Sequence, residues 1–167
     1  LAGHLGLVET VRSRTFSTPG NLSPSAGGAV SLKDRRTRLR FDDFQLERFP
    51  NGRCKVRVGF QWTQGRSYPG EAEGTQTLEG ELRAAALAAI QGIQMAVEGQ
   101  LSLDLGGAKA IRAFDSWIVV VSLRGDAEGE TLRLMGAYPC PDEDTPRGAV
   151  MPVLVATNRI MERYLTP

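Results

Sequence analysis

Residues 83–97, RAAALAAIQGIQMAV, align without a gap on residues 147–161, RGAVMPVLVATNRIM. Both stretches space their apolar residues three and four apart, the pattern of a helix with one buried face. The first face holds Leu82, Ala85, Ala86, Ala89, Ile90, Ile93 and Val97, the second Val150, Val153, Leu154, Thr157, Met161 and Leu165. Upstream of each helix the chain reads as three strands, and the third carries a glycine at the same point, Gly70 or Gly136. An internal duplication of this length says more about architecture than any single motif.

In the first copy Phe41, Phe44 and Leu46 mark a strand, and a change of parity at Asp42–Asp43 predicts a bulge. Pro50-Asn51-Gly52 turns the chain, since Asn and Gly tolerate positive φ. Cys54, Val56, Val58, Phe60 and Trp62 then alternate with Arg53, Lys55, Arg57 and Gln61, a strand with one buried and one wet face. The third strand turns Tyr68, Gly70, Ala72 and Gly74 inward and Glu71 and Glu73 outward. Thr77 is placed to cap the first helix, Glu79 and Glu81 suit its positive end, and the helix fades near Glu98–Gly99.

The second copy follows the same plan. Residues 101–114 read as a strand broken at Gly106–Gly107, 116–123 as its neighbour, and Gly125–Gly129 as a turn. Leu132, Leu134 and Gly136 then face inward. Thr145 caps the second helix, Pro146 takes its first position, and Pro152 predicts a kink or a delayed start. The fold class that follows is α+β: two tandem βββα repeats, 38–99 and 100–167, each antiparallel sheet backed by its helix, the pair related by a pseudo-twofold.

Residues 1–37 read differently. The stretch from Ser17 to Leu32 is dense in Ser, Pro and Gly and is expected to act as a linker, with a short helix or strand before it. Residues 1–40 hold seven basic residues against Glu9 and Asp34, a net +5, so the rest of this +1 chain carries −4. A flexible basic arm on a mildly acidic body is the reading, and a solvated linker explains it more simply than a binding arm. Leu1, standing where a methionine would begin a chain, reads as the start of a fragment or processed product, or as an unusual start, and no signal-peptide pattern is expected there. Two cysteines, Cys54 and Cys140, form no disulfide framework or metal motif, so reduced thiols and a cytoplasmic location are expected. No run reaches the ~18 apolar residues of a membrane helix, and no membrane partner is expected.

Two βββα units, a glycine-bearing third strand leading into an Ala-rich helix, and the terminal ATNRIMERYL together resemble the C-terminal regulatory domain of 2-isopropylmalate synthases. The likeness covers roughly residues 39–165 and is one of pattern. It implies two units packed about a pseudo-twofold, a domain that pairs with its mate, and leucine bound near the meeting of the units. Carried over by position, the family's glycine-rich junction falls on Gly70, Gly74 and Thr75, and its counterpart on Asp144 and Thr145. Thr75 stands where the family places a proline, and the family's Gly-Thr-Asp-Ala stretch is missing between Lys109 and Ser122. The barrel that carries the family's chemistry does not fit in this chain.

The residues exclude most catalytic chemistry. The one histidine, His4, lies in the arm, so no triad or imidazole base is available to the folded body. Zinc-ligand spacing, a P-loop and a G-x-S-x-G elbow are all missing. Glu71 and Glu73 share a strand face and could form a carboxylate pair, but Arg57 and Arg66 nearby make a solvated, balanced face the better reading. Asp142, Glu143 and Asp144 lack calcium-loop spacing and suit a helix start by their charge alone. The order α-β-β-β-α across 77–165 also matches a double-stranded RNA-binding domain, but Arg147 sits beside three acids, so nucleic acid is disfavoured. Trp117, Val119 and Val121 point one way along their strand and Ile118 and Val120 the other, so both faces want cover. A second chain, forming a homodimer, or residues 1–16 would supply it.

A non-catalytic regulatory, ligand-sensing and dimerisation module is therefore expected, without cofactor or metal. Its candidate ligand is a small carboxylate or amino acid at the two strand-to-helix junctions: Gly74, Thr75 and Thr77 facing Asp144 and Thr145. The alternative is a protein- or RNA-interaction module with no small-molecule ligand.

Overall fold

The computed structural model describes residues 38–62, 65–140 and 144–165. The arm 1–37, with the second-face cover expected from it, and the acids Asp142 and Glu143 lie outside these residues. Strands β1 (Arg40–Arg48), β2 (Arg53–Gln61) and β3 (Ser67–Thr75) form one antiparallel sheet in that order, followed by α1 (Leu78–Ala96). Strands β4 (Ser102–Ala113), β5 (Ser116–Ala127) and β6 (Glu130–Cys140) form the other, followed by α2 (Thr145–Gly148) and α3 (Val150–Met161). Helix α1 packs on β3 and β2, and α3 on β6 and β5. The protein is an α+β fold of two repeated units, each a three-stranded antiparallel sheet with helix packed against it.

The alternation of β2 is realised residue by residue: Cys54, Val56, Val58 and Phe60 are buried, while Arg53, Arg57 and Gln61 are exposed. The parity change in β1 is a bulge, with the register shifting between Phe41 and Asp43. Gly52 takes the positive φ of 75° that its turn requires.

The repeat is visible in the packing as well as in the chain. A Cβ on Gly70 would run into the carbonyl oxygen of Ala88, and one on Gly136 would run into that of Pro152. Ala88 and Pro152 are aligned positions in the two helices, so both helix backbones ride directly on a strand glycine at the same point. One turn toward the helix start the repeats exchange parts. In the first, Gly74 on the strand faces Ala84 on the helix; in the second, Cys140 on the strand faces Gly148, where a Cβ would strike its sulfur. Strand and helix need one small residue between them, and each copy puts it on a different side.

Three expectations are corrected. Strand β4 is not broken at Gly106–Gly107 but runs through a bulge between Leu105 and Gly107. Strand β5 continues to Ala127, and its turn is the two residues Glu128 and Gly129, both at positive φ, which matches the twist of a two-residue hairpin. The interruption expected from Pro152 is present, the second helix being two pieces divided at Ala149, because Pro152 has no N–H to give the carbonyl of Gly148 four residues back. The cap of that helix, expected at Thr145, is instead Asp144.

Helix α1 is buried on more than one side. Ala84, Ala85, Ala86, Ala88 and Ala89 are all at most 1% exposed, because α1 also touches β4, α2 and α3 of the second repeat. Its alanines serve two contacts at once. Among the described residues no helix is long and apolar enough to cross a membrane.

Candidate functional site

The two strand-to-helix junctions come together around an ion pair that the sequence reading did not single out. Arg48, at the end of β1, donates from Nε and a terminal nitrogen to the two oxygens of Glu81, at 2.5 and 2.9 Å. Glu81 lies in the first turn of α1 and is only 6% exposed, so its carboxylate depends on this bidentate partner. The hydrogen bond from Glu81 raises the Arg48 guanidinium above its ordinary value, and the charges of Glu81 and, more weakly, Asp144 add to it. Asp144 therefore lies within electrostatic reach of Arg48.

The junction residues spend their polar groups on one another. Thr77 caps α1, its Oγ1 accepting from the Gly80 N–H at 3.0 Å, and Thr75 Oγ1 lies 3.2 Å from that same oxygen. Gly80 is a glycine because Thr75 closes on it: a Cβ there would strike the threonine's hydroxyl and carbonyl oxygens. Gly74 is likewise closed by the Gly80 carbonyl and Ala84. At the second junction Asp144 Oδ1 accepts from the Arg147 N–H at 3.4 Å, and Thr145 is buried. Glu81 and Asp144 also set negative charge near Arg48. For an incoming carboxylate these caps leave few donors and an unfavourable field.

Both cysteines are structural by their surroundings. Burial raises each thiol, and each donates weakly to a backbone oxygen, Cys54 to Thr75 at 3.4 Å and Cys140 to Tyr138 at 3.8 Å. A raised thiol keeps little thiolate and makes a poor nucleophile. Among the described residues no group of three or more His, Cys, Asp or Glu side chains is placed to hold a metal.

The outer faces of the two sheets differ in kind. On the first, Arg53 pairs with Glu73 at 3.1 Å, Lys55 and Arg57 both pair with Glu71 at 2.5 and 2.8 Å, and Arg57 reaches Glu47 at 3.6 Å. Glu71 and Glu73 thus belong to an exposed ion-pair lattice, the solvated and balanced face preferred over a carboxylate pair, with Arg57, Lys55 and Arg53 as partners. Lys55 first, then Arg57, holds the Glu71 carboxyl below its ordinary range, the opposite of what a general acid needs.

On the second sheet the corresponding face is apolar at its centre. Register places Ile111, Ile118 and Pro139 in one row, Lys109, Val120 and Ala137 in the next, and Gly107, Ser122 and Met135 in the third. Ile111 is 46% and Met135 73% exposed, Ala137 and Pro139 are exposed, and Ile118 and Val120 are half-buried. A charged row closes the patch, with Asp104, Arg124 and Arg133 side by side. Ile118 and Val120 were legible as outward residues; that their row neighbours extend the patch follows only from the register.

No protein-family model and no curated protein matches the sequence.

Proposed function

We propose that the chain is a non-catalytic regulatory module that pairs with a second copy of itself through the outer face of β4, β5 and β6 and senses a small ligand. The observation that carries the reading is the apolar centre of that face, set against the ion-paired face of the first sheet. Both sheets are built on one plan, so a solvated face was equally open to the second.

A second copy fits because the face complements itself. A twofold axis in the plane of the face and along β5 lays β4 on the partner's β6. Each Met135 then lies over the partner's Gly107, where a Cβ would meet nothing within 4 Å. Each Asp104 comes opposite the partner's Arg133, while the isoleucines and Pro139 close the other end. Arg124, on the axis strand, meets its own counterpart, and Lys109 meets an apolar row. Those two cations weaken the contact, so a reversible dimer is expected. The resemblance of the sequence pattern to the regulatory domain of 2-isopropylmalate synthases, a domain that pairs, supports the same reading. The engagement of Glu71 and Glu73 in ion pairs supports a role without catalysis.

Light scattering across protein concentrations tests the proposal. The mass is expected to rise from one chain to two with a Kd on the order of micromolar, and Val120→Lys to hold it at one. A single-chain mass for the wild type at every concentration overturns it.

A further inference from the structure

Where β1 begins, its residues meet α3 of the other repeat across an open groove of about 670 Å³. That size falls in the ~300–1,000 Å³ range of small-molecule sites. Its floor is apolar: Leu39 is 2% and Leu154 5% exposed, with Phe41 beside them. Phe41 is held by the edge of Phe60, ring centres 6.4 Å apart, and by the Arg147 guanidinium, 5.6 Å from its ring centre. The polar lining is cationic or neutral, namely Arg38, Arg40 and Asn158. Arg38 touches Glu162 at 4.0 Å, and both of those side chains are more than half exposed, so water screens this loose pair.

We infer that this groove binds an amphipathic monoanion, an apolar chain of several carbons ending in a carboxylate and carrying no ammonium group. Apolar floor and arginine rim ask for the two halves of such a molecule. Guanidinium groups take a carboxylate with paired hydrogen bonds, and the body of the ligand covers Phe41 and Leu154. Among the described residues the lining offers no acid to receive an α-ammonium, which sets the expected ligand apart from an amino acid. Because one wall is β1 and the other α3, an occupant ties the first strand of one repeat to the last helix of the other. The inference rests on reading the chain as a ligand-sensing module and gives that module its ligand class and its place.

Titration calorimetry on the full chain with octanoate, octan-1-ol, acetate and leucine is the test. Octanoate is expected to saturate with a Kd of about 1 mM or below, and the other three to bind at least about tenfold more weakly. Arg38→Gln with Arg40→Gln, both exposed and away from the core, is expected to weaken octanoate about tenfold while leaving the melting temperature in place. Absence of saturable octanoate binding, equal binding of octan-1-ol or leucine, or an unchanged affinity in the double variant overturns the inference. Light scattering on the same samples separates the outcomes. Failure of octanoate with the two-chain mass intact removes the groove alone, whereas a one-chain mass removes the dimer reading and leaves a bound groove standing.

Discussion

The two repeats agree inside and disagree outside. Inside, Gly70 lies under Ala88 as Gly136 lies under Pro152, although one helix is alanine-rich and the other is split by a proline. Outside, one sheet shows arginine, lysine and glutamate in contact, and the other shows Ile111, Ile118, Val120 and Met135. Packing admits few solutions, because a helix backbone approaches a strand this closely only over a residue without a side chain. The outward residues answer to no such limit. They are free to record what each copy meets, water for one and, in the proposed dimer, a protein surface for the other.

The sharpest way to break the inner half of the comparison is Gly70→Ala beside Gly136→Ala. Each added methyl meets helix backbone that no rotamer change moves aside, so each variant is expected to lose about 3 kcal/mol or more. Urea unfolding checks this, and a loss confined to one repeat contradicts the shared plan. Gly148→Ala should cost about 1–3 kcal/mol through its clash with Cys140. Adding Cys140→Gly recreates the first repeat's arrangement of Gly74 and Ala84. A double-mutant cycle is expected to show about 1–2 kcal/mol of favourable coupling, and strict additivity would mean that the repeats do not exchange the small residue.

The smallest effect concerns the ion-paired outer face. The Glu71 carboxyl is held below its ordinary value by Lys55 and then Arg57. The folded state therefore gains stability above the unfolded carboxyl pKa of about 4.3 and loses it as pH falls through the lower folded value. Glu71→Gln is expected to flatten the acid limb of a thermal-melt profile. An identical profile for Glu71→Gln and the wild type counts against the ion-pair account.

Much of the fold was legible because periodicity and glycine placement are local signals. The alternation of β2, the bulge in β1, the Thr77 cap and the inner faces of both helices follow from neighbours in the chain. The break at Ala149 was legible as a difficulty, since Pro152 had to interrupt something. The Arg48–Glu81 pair was not, because a strand end and a first helical turn are ordinary places for solvated charge. Only the fold brings the end of β1 to the first turn of α1, where Glu81 is buried. The exchange of small residues between Gly74·Ala84 and Cys140·Gly148 is a property of pairs, which a single line of sequence does not state. The groove joins Arg38–Phe41 to Leu154 and Asn158 from opposite ends of the folded body and has no local signature at all.

The central claim is that the outer face of the second sheet closes on a second copy while that of the first stays open. Methyl relaxation of Ile118, Val120 and Met135 by a soluble paramagnetic probe, recorded in dilute and in concentrated protein, tests this directly. Strong attenuation on dilution and protection on concentration, with the exposed Val155 methyls of α3 attenuated throughout, is the predicted result. Equal attenuation of Ile118 and Val120 at both concentrations would contradict the account.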